Sequence, residues 1–183
     1  MSTTEWESVL TVPVDEDRDH VQGPPDAPVT LVEYGDYQCP YCGAAHPIVK
    51  ELQRQLGDRL RFVFRHFPLT TAHKYAEQAA EAAEAAAAQG KFWPMHDLLF
   101  ESQPRLTVDD LHGYAEQLGL DLERFDRELA GHVHAPRVQE DFMGGVRSGV
   151  NGTPTFYING ARHDDSYDVD TLLAALERAA QST

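Results

Sequence analysis

Val29-Thr30-Leu31-Val32-Glu33-Tyr34-Gly35-Asp36-Tyr37-Gln38-Cys39-Pro40-Tyr41-Cys42 is the stretch on which the fold turns. Its first six residues are mostly apolar and β-branched and follow Pro24, Pro25 and Pro28, so a buried strand starting at a proline boundary is expected. From Tyr41 the period changes: Ile48, Val49, Leu52 and Leu56 share one helical face, Gly57 is the stop, and Pro47 is expected to kink the helix. Cys39 thus falls where a strand gives way to a helix N-terminus. The unpaired amides and the positive dipole end there favour thiolate over thiol.

Cys39 and Cys42 are the chain's two cysteines, spaced C-x-x-C. A redox-active dithiol is the leading reading. Half of a zinc site is an alternative, but zinc takes four ligands and there is no second C-x-x-C, so His46, His66 and His73 would have to converge on the pair. An inert structural disulfide is another, although closing so short a loop constrains the unfolded chain little.

Working outward, Leu60-Arg61-Phe62-Val63-Phe64-Arg65-His66-Phe67 reads as a second strand ended by Pro68. Strand, helix and strand in succession imply a right-handed parallel unit. Residues 72–149 look helical throughout, beginning with an alanine-rich helix over 72–89 that Gly90 stops. Thr107-Val108-Asp109-Asp110 resembles a capping box, Leu122, Phe125 and Leu129 repeat a helical spacing after Asp121, and a last helix runs through Val138, Phe142 and Val146. That last helix is expected to end among Gly144, Gly145 and Gly149. Strand signals return at Thr155-Phe156-Tyr157-Ile158, with Asn159-Gly160 as a hairpin turn and Ala161-Arg162-His163 as the partner. An amphipathic helix over 168–180 closes the chain. The expected division is an acidic N-terminal extension (1–27), an α/β domain split between 28–71 and 150–183, and an all-helical insertion (72–149).

With 183 residues, 42% hydrophobic and 25% charged, the chain suits one packed domain and excludes a disordered or fibrous class. A formal charge of -15, from 30 acidic and 15 basic side chains, repels phosphate backbones and anionic lipid, so no nucleic-acid partner is expected. Lysines number only three, Lys50, Lys74 and Lys91, which salt adaptation and an arginine-rich coding bias explain equally well. No run approaches the roughly 20 apolar residues of a membrane span. Glu5, Glu7, Asp15, Glu16, Asp17 and Asp19 crowd the first twenty positions where a secretory signal would be basic and then apolar. Met1-Ser2-Thr3-Thr4 reads as a cytosolic start, so a cytoplasmic location is expected, or an extracytoplasmic one if the chain is a piece of a longer protein.

Several motifs together carry a family resemblance. Gly35-Asp36-Tyr37-Gln38-Cys39-Pro40-Tyr41-Cys42 and Gly152-Thr153-Pro154-Thr155-Phe156 resemble the active-site turn and the cis-proline loop of DsbA-like thiol-disulfide oxidoreductases of the thioredoxin superfamily. Arg65-His66-Phe67-Pro68-Leu69 and Gly90-Lys91-Phe92-Trp93-Pro94-Met95-His96-Asp97 resemble further family segments. The resemblance implies an α/β thioredoxin-like fold, a central mixed sheet flanked by helices, with an inserted all-helical domain. It implies that Cys39 forms the mixed disulfide with a protein substrate and Cys42 resolves it, with no cofactor and no metal. It further implies a cis Pro154 beside the cysteines, main-chain pairing of Thr153 with an extended substrate, and Glu33 as a buried acid serving Cys42. Pro40 and Tyr41 tune the motif, and they differ from the Pro-His pair of strongly oxidising periplasmic enzymes, so the potential stays open. His46 is expected at the surface, and Phe92, Trp93 and Phe100 in the core of the insertion. The implied partners are protein thiols or disulfides and a regenerating redox protein. An oxidase, a cytoplasmic reductase or redox sensor, and a non-catalytic binding or metal-holding module of the kind that once adjoined a transporter are the competing functions.

Overall fold

The computed structural model describes residues 9–182; expectations placed on residues 1–8 lie outside it. Among the described residues a five-stranded sheet runs in the order β1-β3-β2-β4-β5. Its strands are β1 (His20–Gln22), β2 (Val29–Gly35), β3 (Leu60–His66), β4 (Thr155–Ile158) and β5 (Ala161–His163). β2 and β3 are parallel, joined by α1 (Pro40–Leu56), whereas every other neighbouring pair is antiparallel. This mixed sheet flanked by helices is the thioredoxin-like architecture expected from the sequence. All seven residues of β2 are buried, because β2 is central in the sheet and helices cover it.

Five helices lie between β3 and β4: α2 (Ala76–Ala87), α3 (Phe92–Glu101), α4 (Val108–Gln117), α5 (Leu122–Ala130) and α6 (Ala135–Arg147). Their starts follow local chemistry where a cap exists. Thr107 and Asp110 form the capping box ahead of α4, and the Asp121 side chain accepts from the Arg124 amide ahead of α5. α2 begins four residues later than its alanine content suggests, because Pro68 to Tyr75 fold as turns. α7 (Val169–Gln181), capped by Asp168, returns to the sheet and packs against α1 and β2.

Strand alternation sorts the core into two faces. Val29 and Leu31 point into the larger cluster with Cys39, Cys42, α1, α3 and α7. Val32 and Tyr34 point the other way, against Phe67, Tyr157 and Phe142 of α6. Glu33 shares the parity of Leu31 and therefore faces the cysteines.

Two features add to the sequence expectation. The acidic extension is partly structural: β1 pairs with β3, and Val9 makes an isolated bridge to Ala161. Helix α6 runs through Gly144 and Gly145 and ends just before Gly149, within the glycine stretch where the sequence put its end. A Cβ on Gly145 would sit 2.8 Å from the Phe67 ring and 3.0 Å from the Tyr34 ring, so this glycine is there for close helix-to-sheet packing. Gly149, at φ +90°, is the true stop.

Candidate active site

Cys39 is the N-cap of α1, with Pro40 as the first helical residue. Asp36 builds the turn that delivers it. One carboxylate oxygen accepts from the Gln38 and Cys39 amides at 2.7 and 3.2 Å, and the other from the Leu69 amide at 2.9 Å and from His73 Nδ1 at 2.8 Å. This is an Asx-type turn three residues before the cysteine, a signal present in the sequence that composition and motif spacing do not bring out. Gln103 closes the turn from the helical region. Its side-chain amide donates to the Tyr37 carbonyl and, at 3.1 Å, to the Cys39 carbonyl. Only glycine at position 43 admits that side chain, since a Cβ there would collide with it.

Both sulfurs are free thiols, Cys39 3% exposed and Cys42 0%. The Cys39 thiol is lowered to about 5. A hydrogen bond from the Cys42 thiol is the largest cause; burial opposes it; Thr153 and the amides of Cys42 and Tyr41 lower it further. Helix-start amides thus help, as the sequence suggested, but the neighbouring thiol does more. Cys42 moves the opposite way, well above its ordinary value, through burial first, then its bond to Cys39 and the Glu33 charge. The pair is therefore asymmetric: one sulfur is anionic at neutral pH and the other holds its proton.

The Thr153–Pro154 peptide is cis, and the Thr153 carbonyl oxygen lies 3.6 Å from Cys39 Sγ. Glu33 is 2% exposed, with no hydrogen-bond partner for Oε2 among the described residues. Burial, and next the Cys39 charge, push it up to about 8, so it is neutral at pH 7. β2 is paired on both sides here, with Glu33 opposite Phe64 and Phe156, so this carboxyl does not sit on a sheet edge. Tyr41 is 67% exposed beside the dithiol. Half-buried Tyr167, unmarked in the sequence, stands in the loop before α7 with its phenol raised by burial and then by Cys42 and Cys39.

One expectation is overturned. His46 is not at the surface but 7% exposed, because α3 crosses α1 and lays the His96 and Phe100 rings 5.5 and 5.3 Å from it. The zinc alternative on the cysteines also lacks its histidines: His66 is bonded to Glu84, His73 to Asp36, and His46 faces Asp97 and Glu101. Phe92 and Phe100 are buried and Trp93 packs partly buried against the core, as expected.

Comparison with known proteins agrees with this geometry. A family model described as Thioredoxin (Thioredoxin_4) matches residues 15–178. Part of the Na(+)/H(+) antiporter NhaA 1 of Salinispora arenicola is 56% identical over 174 residues, covering 95% of this chain and 26% of that protein. The Na(+)/H(+) antiporter NhaA of Herminiimonas arsenicoxydans is 44% identical over 181 residues, 99% of this chain and 29% of that protein. The chain thus spans about a quarter of the length of the curated relatives it matches. Among solved structures, oxidised BdbD from Bacillus subtilis is similar at a TM-score of 0.84 and 28% identity, covering 96% of this chain and 99% of that one. A thioredoxin-like oxidoreductase from Silicibacter pomeroyi reaches 0.79 and 29%, covering 96% and 98%. The chain belongs to this thioredoxin family, as a DsbA-like thiol-disulfide oxidoreductase of the thioredoxin superfamily.

Proposed function

We propose that Cys39 and Cys42 cycle between disulfide and dithiol while exchanging with protein substrates, in the oxidising direction. In that direction a client thiolate attacks Cys39 Sγ, the Cys39–Cys42 bond breaks, and the electron pair leaves on Cys42. A second client thiolate then attacks the client sulfur of the mixed disulfide, expelling Cys39 as thiolate. The client is oxidised by two electrons and the enzyme reduced by two. Neutral Glu33, on the same side of the sheet, supplies a proton to the departing Cys42 sulfur, whose own affinity for a proton is high. Thr153 offers main-chain groups to an extended client segment next to Cys39, which favours broad substrate choice.

The observation that carries the oxidising direction is the Cys39 thiol at about 5. Stabilising the thiolate stabilises the reduced enzyme, so its disulfide is a better oxidant. Thioredoxin, at about 7 and about -270 mV, and DsbA, at about 3.5 and about -120 mV, bracket that value, so a potential between the two is the expected outcome. Equilibration with glutathione buffers measures it; a potential below thioredoxin's assigns the chain to the reductase alternative instead. Replacing Cys39 by Ser should abolish both RNase reoxidation and insulin reduction, and Cys42→Ser should trap a mixed disulfide at Cys39. Loss of neither activity would remove the reading altogether.

The curated relatives favour a second, wider reading, in which this redox unit acts beside a sodium/proton antiporter. No helix among the described residues is long and apolar enough to cross a membrane, so the ion path in that reading belongs to other residues. Antiport in vesicles carrying such a relative, compared between oxidised and reduced states, tests it: equal rates in both states count against a link.

A further inference from the structure

We propose that His46, His96 and Asp97, with the Glu101 carboxylate facing His46, form a site for a divalent ion of the zinc class where α3 crosses α1. His46 is 7% exposed, and its Nε2 is buried with no hydrogen-bond partner among the described residues. That nitrogen faces Glu101 Oε1 at 3.4 Å and Asp97 Oδ1 at 3.6 Å. Asp97 and Glu101 are four apart on α3 and so project from one face toward α1.

The spacing leaves room for a metal. Zinc bonds of about 2.0 to 2.2 Å at tetrahedral angles hold neighbouring ligand atoms roughly 3.3 to 3.6 Å apart. Hydrogen bonding draws such atoms to about 2.7 to 3.2 Å. Both His46 separations are longer than that, so an ion can lie between the buried nitrogen and the two carboxylates. The other cluster of this kind, His20, His66 and Glu84, lies at hydrogen-bonding distances: both histidines meet one Glu84 oxygen at 2.6 and 2.8 Å, and Arg137 faces the other at 3.7 Å. That cluster is already satisfied without an ion.

His96 belongs to the same cluster, with a ring nitrogen within 4.8 Å of the His46 and Asp97 ligand atoms. Its Nδ1 is held by the Tyr37 hydroxyl at 2.8 Å, the kind of outer contact that fixes a ligand's orientation. Imidazole with carboxylate suits zinc-class ions better than calcium or magnesium. In the metal-free protein the Lys50 ammonium stands 2.9 Å from Asp97 Oδ1; its side chain is 40% exposed and can swing into solvent when an ion takes that place. A bound ion would tie α1, one turn beyond Cys42, to the helical region.

The test uses the full chain with the Cys39–Cys42 disulfide formed, so that neither sulfur can bind metal and disulfide exchange plays no part in the readout. Zinc chloride, titrated against a chromophoric chelator, is expected to bind one ion per chain and to raise Tm by a few degrees. Cobalt(II) in its place should give a tetrahedral spectrum without a thiolate band. Affinity should fall by about tenfold or more in His46→Ala and Glu101→Gln, and should rise in Lys50→Met, which removes the competing cation. No stoichiometric zinc on the oxidised protein, or equal affinity in Glu101→Gln, overturns the site. Glu101 is more than half exposed, so that variant is decisive even if His46→Ala does not fold.

Discussion

At the residue scale the chemistry rests on opposite displacements of three protons held close together. Cys39 is lowered to about 5 by its Cys42 bond, while Glu33 is raised to about 8 by burial and the Cys39 charge. Their effects on stability run in opposite senses. Cys39, depressed on folding, adds stability above its unfolded value, and this is lost as pH falls from about 9 through about 5. Glu33, raised on folding, costs nothing below about 4.5 and destabilises progressively up to about 8, by at most roughly 5 kcal/mol. Urea titrations of the oxidised protein, in which Cys39 neither titrates nor adds its charge, should show stability falling as pH rises above about 4.5 through the burial of Glu33 alone, and Glu33→Gln should flatten that slope. An unchanged slope would mean that Glu33 is ionised inside the fold. In the reduced protein the ultraviolet thiolate signal should titrate near pH 5 and shift upward in Cys42→Ala, because the largest stabilising bond is gone.

At the element scale, glycines that look alike in the sequence have different jobs. Gly145 lies in α6 against Phe67 and Tyr34, and Gly145→Ala should cost about 1–3 kcal/mol by overpacking. Gly113 lies in α4 with nothing near the position a Cβ would take, so Gly113→Ala should stabilise by about 0.5–1 kcal/mol. Chemical denaturation of the two variants in parallel checks the contrast; equal effects would contradict the packing role of α6. The capped helices α4, α5 and α7 were legible because caps and apolar spacing are local. The glycine pair in α6 carries no local sign of its purpose, because the Phe67 and Tyr34 rings that Gly145 admits are remote in sequence.

Across the whole molecule, a buried charge network ties the N-terminal segment to the sheet. Arg65, fully inside, donates to both Asp19 oxygens at 2.9 Å, to the Tyr34 hydroxyl at 2.9 Å and to the Val12 and Pro13 carbonyls at 2.8 and 3.1 Å. Burial opposes ionisation of Asp19, yet the Arg65 bond and charge hold its carboxyl below the ordinary value. Removing one partner of such a pair leaves an uncompensated charge, so Asp19→Ala should cost about 3–5 kcal/mol. Adding Arg65→Met to it should recover much of the loss. A thermal-denaturation double-mutant cycle measures this; purely additive losses would show that the two side chains do not act as a pair.

By itself the sequence determined the strand-to-helix turn at Cys39, the parallel unit around it, the helical stretch between the sheet halves and the closing hairpin and helix. Those signals are short-range: period, caps, prolines and the C-x-x-C spacing all lie within a few residues of what they specify. Only the tertiary structure decided that residues 20–22 form an edge strand, that Glu33 faces the dithiol unpaired, that Gln103 grips the turn, and that His46 lies buried against Asp97 and Glu101. Each of these depends on groups brought together from distant parts of the chain. Burial and electrostatic environment are properties of the packed neighbourhood, and a linear pattern does not contain them.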